Sequence, residues 1–473
     1  MNREDLYQAI GQADERLLER SQRNRYRRQP SWWMRAAAAV LIAAVAVSGW
    51  LYASNPSFFT TAYAINEAVY PQMASYPDQM SPFFEQQFDA WQSSVQAQKQ
   101  PSGYANGLEN FFESSIRQTL SGEEGENKVY APLSAYMTLG MLAELTGGES
   151  RGQILSLLGT DSIEALRSQA YAVWNGQYRN DGATTCILAN SVWLNEGISF
   201  IPETMERLAD TYYASSYQGE MGSDGFHKAL QGWLDEQTGG LLKEQTQNAA
   251  FDAETVLALA SAMHYQAKWA NGFSKENTTP DVFHSLSGDM TCDFMHSQGQ
   301  ETYYWAEQFG VVAQPLENGG GTMWFILPDE GVRVQELLQT DELMEFLRSN
   351  GKWENRKTLK INLSVPKFDI SSQTDLREVF KSLGVTDVFD QKTADFSAMT
   401  NMKDIFVSKA SHGVRVAIDE EGVTAAAYTA MYFAGAAPPP EDEMDFVLDR
   451  PFLFVVTSDD GLPLFAGSVY QPV

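Results

Sequence analysis

Residues 422–440 read GVTAAAYTAMYFAGAAPPP, a run of nineteen residues without a single charge. Acidic residues flank this run on both sides, as DEE at 419–421 and as EDE at 441–443. The three prolines stop any strand and favour an extended polyproline conformation. A long uncharged segment between two acidic triplets is the most unusual feature of the sequence.

Three interpretations of this run compete. The first is a buried central strand or an alanine-rich helix. The second is a membrane span, and the third is an exposed loop that later becomes a strand. The span fails because about 20 apolar residues are usual and because prolines end the run. Alternation favours the third interpretation, since one face would be apolar or small at every position except Thr429. That face holds Val423, Ala425, Ala427, Thr429, Met431, Phe433 and Gly435, and the other holds Thr424, Ala426, Tyr428, Ala430, Tyr432, Ala434 and Ala436.

The segments before this run predict helices first and strands later. Leu108 to Leu120 carries an apolar helical face with Asn106 available as a cap, and a second helix follows Pro132 and stops at Gly147-Gly148. Strand patterns then dominate, which indicates an α+β fold with a large sheet covered on both faces. The predicted strands are Thr184–Leu194, Leu257–Tyr265, Met323–Leu327, Leu359–Ile370, Ile405–Ile418, Phe452–Thr457 and Leu464–Tyr470.

The N-terminal part has a different composition. Residues 1–35 hold eight arginines and five acids and predict a basic cytoplasmic tail, and residues 36–53 are apolar enough for a transmembrane anchor. Residues 54–103 are rich in proline and glutamine and predict a stalk, which leaves 104–473 as the folded domain. The predicted location is the cell membrane, single-pass, with the domain outside the cytoplasm. A secreted protein with a cleaved signal peptide is the alternative.

Charge and cysteine content exclude some classes of function. The formal net charge is −28, and a surface that acidic repels nucleic acid, so no nucleic-acid partner is expected. Cys186 and Cys292 are the only cysteines, and they have no metal-binding spacing. We therefore expect both to be buried thiols, and we expect no metal and no cofactor.

Hydrolase motifs occur but lie in the wrong context. GESRG at 148–152 matches the nucleophile elbow, yet it follows a helix, and Ser150 is expected to cap the helix 153–158. SVPK at 364–367 matches a β-lactamase motif but falls in a strand pattern with a proline inside. The five histidines are scattered. The sequence does not predict an enzyme.

The segment EEGVTAAA at 420–427 resembles the hinge of the inhibitory serpins. The resemblance extends from about Leu108 to Tyr470, because further segments match family motifs in the right order. They are YAPLS (130–134), LANSVWL (188–194), AKW (267–269), VPKF (365–368), LGVTDVF (383–389) with ADFS (394–397), DRPFLF (449–454) and LFAG (464–467).

This resemblance implies a serpin fold, with helices packed on large mixed and antiparallel sheets and an exposed reactive-centre loop. We expect a monomer of a bacterial, membrane-anchored type. A serine or cysteine protease would cleave the loop and become acylated, and the loop would then insert into the main sheet and trap the enzyme as a covalent acyl complex. The runner-up is a non-inhibitory serpin that acts as a binding module or chaperone.

The resemblance also implies roles for particular residues. The scissile bond would lie between Ala436 and Ala437, which suits a protease with a small specificity pocket, elastase-like or subtilisin-like. The loop hinge would be Glu420, Glu421, Gly422, Val423, Thr424, Ala425, Ala426 and Ala427. The region where the sheet opens would comprise Ser134, Ser261, His412, Trp269 and Lys367, with a salt bridge from Lys367 to Glu420.

Four positions depart from the family pattern. Val423 stands where threonine or serine is usual, and Tyr428 interrupts the small residues of the hinge. Ala131 and Ser261 replace a serine and an asparagine of the polar cluster beneath the sheet. These departures keep the non-inhibitory alternative open.

Overall fold

The computed structural model describes residues 62–78, 80–122, 124–243, 249–423 and 442–472. The chain divides into two compact units, Met1–Phe58 and Phe59–Val473, and every described residue belongs to the second. The predicted basic tail, the anchor at 36–53 and the loop at 424–441 lie outside the described residues.

Helices occupy much of the first half, as the apolar periodicity predicts. In α2 the predicted face is buried, including Phe111, Ile116 and Leu120. Helix α3 begins at Pro132, where a missing N–H costs nothing, and ends before Gly147. The described helices are α1 Phe84–Gln98, α2 Glu109–Leu120, α3 Pro132–Leu145, α4 Gly148–Leu157, α5 Ile163–Gln177, α6 Pro202–Tyr212, α7 Asp224–Gln237, α8 Val334–Leu337, α9 Asp341–Ser349 and α10 Leu376–Ser382.

Strands dominate the second half, and the predicted ones are all present. The predicted strand Leu359–Ile370 is divided into two, because β11 ends at Pro366 and β12 begins at Phe368. The strands are β1 Ala64–Asn66, β2 Lys128–Tyr130, β3 Arg179–Asn180, β4 Thr185–Asn195, β5 Ala214–Gly219, β6 Leu257–Lys268, β7 Thr279–Ser285, β8 Gly288–Trp305, β9 Phe309–Leu316, β10 Gly321–Pro328, β11 Arg356–Pro366, β12 Phe368–Asp375, β13 Val407–Ile418, β14 Gly422–Val423, β15 Glu443–Val447, β16 Phe452–Thr457 and β17 Pro463–Val469.

The described strands form two sheets. The eight-strand sheet has the order β1-β5-β4-β6-β14-β13-β12, with β3 paired to β4. The nine-strand sheet has the order β15-β11-β8-β9-β10-β16-β17-β2, with β7 paired to β8. The chain passes from the nine-strand sheet to the eight-strand sheet at Lys367, between β11 and β12.

Both faces of the eight-strand sheet are covered. Every residue of α3 is buried, and this helix packs against β4 and β6 of that sheet and β17 of the other. On the opposite face, Phe226 and Trp233 of α7 pack with Trp193 and Phe251 over alanines of β6. The apolar content of the strands predicted this double cover. The predicted α+β architecture, with helices packed on large sheets, is therefore present.

The described part of the predicted stalk packs against the domain. Strand β1 adds to the edge of β5, and the Tyr63 ring lies 5.1 Å from the Phe226 ring of α7. Tyr70 packs on the Trp174 ring at 5.3 Å. In α1, the buried Trp91 donates a hydrogen bond from Nε1 to Asp181 at 2.8 Å. We call residues 62–98 the N-terminal strap.

Candidate functional site

The eight-strand sheet has a seam between β6 and β13. These strands pair in parallel from Leu257 to Ala262 on β6 and from Val407 to Gly413 on β13. Beyond that point their pairing stops, and the two-residue strand β14 lies between them. Val423 of β14 is opposite Ala267 on one side and Ile418 on the other. Gly422 and Val423, two residues of the predicted hinge, thus form a short strand between β6 and β13.

Between Ala262, where pairing with β13 ends, and Ala267, which pairs with β14, lie residues 263–266 of β6. Among the described residues, these four have no strand partner on the seam side. Their other side pairs with β4, where His264 is opposite Ile187. Backbone groups in such a position can accept a further strand.

Close packing fixes β14 in the seam. A Cβ atom on Gly422 would overlap the carbonyl oxygen of Ala267, so only glycine allows this approach. Val423 is 1% exposed and joins the core shared with α3. The Asp419 carboxylate accepts hydrogen bonds from the backbone N–H groups of Glu421 (2.8 Å) and Gly422 (3.2 Å), which holds the preceding turn.

The predicted salt bridge lies beside this turn. Lys367 Nζ is 3.1 Å from Glu420 Oε2, and Thr278 donates a hydrogen bond to the same carboxylate at 2.8 Å. Partial burial alone would raise the pKa of Glu420, but its hydrogen bonds to Thr278, Lys367 and a backbone N–H lower the pKa overall. Trp269 donates from Nε1 to the Asp419 carbonyl at 2.8 Å, so it too supports the turn.

The polar residues expected beneath the sheet are buried along the closed part of the seam. His412 is opposite Ser261, and each is 1% exposed. His412 Nε2 accepts a hydrogen bond from the Ala131 N–H at 3.3 Å. Among the described residues, His412 Nδ1, Ser261 Oγ and Ser134 Oγ have no hydrogen-bond partner. Burial lowers the pKa of His412 to about 4, so the ring is neutral at neutral pH.

The remaining predicted site residues are outside the described part of the chain. They are Thr424, Ala425, Ala426 and Ala427 of the hinge and Ala436 and Ala437 of the scissile bond.

The dismissed hydrolase motifs have structural explanations. Ser150 lies inside α4 rather than at a helix cap, because the helix begins earlier, at Gly148. The Ser150 side chain is buried and accepts a hydrogen bond from the Asp395 N–H at 3.0 Å. Ser364 lies in β11, 2.8 Å from His296 Nδ1. Cys186 is a buried free thiol as expected, whereas the free thiol of Cys292 is only half-buried.

The turn after α7 contacts both strands of the seam, which no motif in the sequence indicated. Its Leu241 carbonyl accepts a hydrogen bond from Arg415 Nη1 of β13 at 2.7 Å, and Gly239 packs on the ring of His264 of β6. The turn therefore spans both sides of the seam. Gly239-Gly240 marked a turn in the sequence, but no local pattern predicted what it contacts.

A membrane span is not present in the part of the chain that the structure describes, where no helix is both long and apolar enough to cross a bilayer. The predicted anchor at 36–53 lies outside that part.

Comparison with known proteins matches this arrangement to one family. The family model "Serpin (serine protease inhibitor)" matches residues 108–472. Serpin-ZX of Arabidopsis thaliana is 29% identical over 369 residues, which cover 74% of this chain and 93% of that protein. The leukocyte elastase inhibitor of Homo sapiens is 28% identical over 360 residues, with 73% and 93% covered.

Solved structures agree in fold. The thermophilic serpin Tengpin in its native state matches with a TM-score of 0.70 and 26% identity, covering 79% of this chain and 95% of that one. AtSerpin1 of Arabidopsis in its native stressed conformation matches with a TM-score of 0.67 and 27% identity, covering 79% and 100%. The curated relatives named here are plant and human proteins, so they do not support the expected bacterial type. With a family model that matches most of its length, this chain belongs to the serpin family.

Proposed function

We propose that this serpin traps a serine protease by inserting its cleaved loop between β6 and β13. The observation that carries the proposal is the position of β14, where Gly422 and Val423 already pair as the first residues of a new strand. Residues 263–266 of β6, whose seam side is unpaired, come directly next to the position where Val423 pairs. The segment that would follow into the seam is the uncharged run that begins at residue 424.

The chemistry is an interrupted acyl transfer. The protease serine hydroxyl attacks the carbonyl carbon of Ala436, the bond to Ala437 breaks, and the new amine of Ala437 leaves with a proton. The acyl bond then joins the protease to Ala436. Insertion of the preceding residues separates the protease from its original position before water can cleave that bond. The serpin acts as a consumed inhibitor and not as an enzyme.

Backbone pairing and apolar burial supply the driving force. Successive residues of the inserted strand add hydrogen bonds to one neighbouring strand and to the other in alternation. Residues on the Val423 face enter the core with about 25 cal/mol per Å2 of apolar area buried. The small side chains at 425–427 lower the steric cost of starting the strand.

The target class follows from the residues at the scissile bond. Alanine before the bond suits a protease with a small specificity pocket, elastase-like or subtilisin-like. The relative named leukocyte elastase inhibitor supports this class. Cysteine proteases form the same kind of acyl bond and are a second target class.

We place this activity outside the cytoplasm, with the serpin monomeric and held to the membrane by residues 36–53. The apolar composition of that segment and the basic residues before it support this placement. Secretion after cleavage of the same segment is the alternative.

The test uses the full chain in mild detergent, mixed with elastase or subtilisin and analysed on denaturing gels. We expect a band that survives SDS near the summed mass, and a released peptide that begins at Ala437. Val423→Arg places a charge at a buried position between β6 and β13, so it should convert the inhibitor into a substrate. The matched control is Val69→Arg at a position that is 84% exposed, which should trap as the wild type does.

Loop cleavage without a stable band, and without a rise in heat stability, would contradict loop insertion. The non-inhibitory binding module would then be the better description. Equal trapping by the Val423→Arg protein would show that β14 is not the start of the inserted strand.

A further inference from the structure

A cavity of about 280 Å3 lies where the end of α1 meets β3, the start of β4 and two turns of the nine-strand sheet. One turn joins β9 to β10 and contributes Gly319, and the other joins β16 to β17 and contributes Asp459. Arg179 of β3 and Thr184, which comes just before β4, also line the cavity. This volume is close to the lower limit of small-molecule sites, so it suits a small metabolite. We call this space the β4 cavity.

The Thr184 hydroxyl is a buried polar group of this cavity. Thr184 is 2% exposed, and its Oγ1 atom has no hydrogen-bond partner among the described residues. Its backbone is already satisfied, because the Thr184 N–H donates to the Asp181 carboxylate at 2.8 Å and the Thr184 carbonyl accepts from the Asp181 N–H at 3.3 Å. Asp181 also accepts the hydrogen bond from Trp91, which holds this turn in place. A buried hydroxyl without a partner costs free energy, and a ligand in the cavity would remove that cost.

Arg179 places a positive charge beside this hydroxyl. Arg179 pairs with Cys186 through its backbone, as part of the short strand β3. Its side-chain Nη1 atom is buried and has no hydrogen-bond partner in the part of the chain that the structure describes. A guanidinium can bind a carboxylate through two parallel hydrogen bonds. Arg179 and Thr184 therefore offer donors for one carboxylate group.

Asp459 provides a negative charge a short distance away. A Cβ atom on Gly319 would lie 3.1 Å from Asp459 Oδ2 and 3.4 Å from Arg179 Nη2, so the two atoms are at most 6.5 Å apart, the sum of these distances. Gly319 has a φ of +78° and no side chain, and it thus leaves the space between the two charges open. Burial raises the pKa of Asp459, and the nearby charge of Arg179 offsets that effect only in part. A cationic group next to Asp459 would stabilise its charged form.

These groups together select a ligand that carries both charges. A simple anion would meet Arg179 but would also face the carboxylate of Asp459, and a simple cation would face Arg179. An α-amino acid has its carboxylate and its ammonium group on one carbon atom, which suits opposite charges a few ångströms apart. Val95 of α1 and Leu464 of β17 provide apolar lining for its side chain.

We propose that the β4 cavity binds a free α-amino acid, with its carboxylate on Arg179 and Thr184 and its ammonium group on Asp459. The cavity lies between the two sheets, because Tyr265 of β6 also lines it and donates a hydrogen bond to the carbonyl of Gly320. A bound ligand would connect strands of one sheet to turns of the other. It should therefore raise the heat-unfolding temperature.

The test exposes the full chain in mild detergent to each of the twenty standard L-amino acids, one at a time and at millimolar concentration. At least one should raise the heat-unfolding temperature and be retained by the protein in equilibrium dialysis. Two analogues of that amino acid then test the two charges. Its amide, which lacks the carboxylate, and the acid without the amino group should each bind at least about tenfold more weakly, because each loses one charged contact.

Variants test the three contacts. Arg179→Met and Asp459→Asn should each weaken binding at least about tenfold, and Thr184→Val should weaken it several-fold. Thr184→Val keeps the shape of the side chain and removes an unpaired hydroxyl, so without ligand it should be at least as heat-stable as the wild type. Its loss of binding then cannot result from poor folding. The matched controls are Arg356→Met and Thr358→Val at exposed positions of β11, which should bind as the wild type does.

Three outcomes would overturn the inference. The first is that none of the twenty amino acids is retained. The second is that the acid without the amino group binds as tightly as the amino acid, since the site would then take any carboxylate. The third is undiminished binding in both Arg179→Met and Asp459→Asn, which would place the ligand elsewhere. No protease is used in these measurements, so their result does not depend on the proposed inhibition.

Discussion

Protonation of His412 should destabilise the closed seam in acid. The ring is 1% exposed, and its Nε2 accepts the Ala131 N–H. In the neutral ring the accepting nitrogen is Nε2 and the proton is on Nδ1. Acid therefore adds the second proton at Nε2, which removes that hydrogen bond and places a charge in the core. Burial lowers the pKa to about 4 from an ordinary value of 6.5.

The sign and size of the effect follow from this difference. Between pH 6.5 and pH 4 the unfolded chain binds a proton that the native chain does not, so the free energy of unfolding falls as the pH falls. The difference in pKa corresponds to about 3 kcal/mol, with no further loss from this residue below about pH 4.

The assay compares urea unfolding at pH 7 and pH 4 for the wild type and His412→Gln. Glutamine keeps an acceptor near the Ala131 N–H and cannot be protonated in this range. Between pH 7 and pH 4 the free energy of unfolding of the wild type should fall by about 3 kcal/mol more than that of the variant. For an m-value near 3 kcal/mol/M this corresponds to a difference of about 1 M in the urea midpoint. The control is His284→Gln at an exposed position, where pairing with Asp289 raises the pKa of the histidine; this variant should lose at least as much as the wild type. Equal losses in the wild type and His412→Gln would refute the reasoning.

Three further predictions concern other parts of the domain. Lys367→Met should raise the pKa of Glu420 and cost about 1 kcal/mol or less, since the lysine is partly exposed; an unchanged pKa of Glu420 would contradict this. Trp91→Ala should detach the N-terminal strap and cost about 3 kcal/mol, seen as faster proteolysis of residues 64–78, whereas the exposed Phe83→Ala should change little. Glu144→Ala should cost about 1–3 kcal/mol in urea unfolding, because it removes the buried carboxylate that accepts hydrogen bonds from two arginines, which themselves remain partly exposed; an unchanged urea midpoint would contradict it.

Local periodicity was sufficient to predict helices α2 and α3 and the strands with the most regular apolar patterns, but not the other described strands, such as β5, β8 and β9. The apolar face of α2 and the glycines after α3 are signals carried by neighbouring residues, and the structure has both helices where those signals lie. The strand predicted at Leu359–Ile370 shows the limit of such signals. A continuous strand pattern did not reveal that the chain changes sheets at Lys367, because that change depends on distant partners.

Composition did not reveal which residues the N-terminal strap contacts, for the same reason. Prolines and glutamines at 54–103 are typical of a stalk, yet Tyr70 and Trp91 contact residues about 90 to 170 positions away. In the candidate site, too, some features could be predicted from the sequence and others could not. The hinge was visible in the sequence, whereas the packing over Gly413 depends on Leu242, which comes 171 residues before it. Contacts between distant segments leave no local pattern.

The N-terminal strap has a consequence for self-association. A sheet that can accept a strand at its seam is also at risk of accepting one at a free edge, where a second copy could pair and start an aggregate. Strand β1 covers part of β5 at one edge of the eight-strand sheet. At the other edge, β12 presents polar residues such as Asp369 and Gln373. Both edges are thus less open to a neighbouring chain, whereas the proposed function requires the seam to accept the chain's own loop.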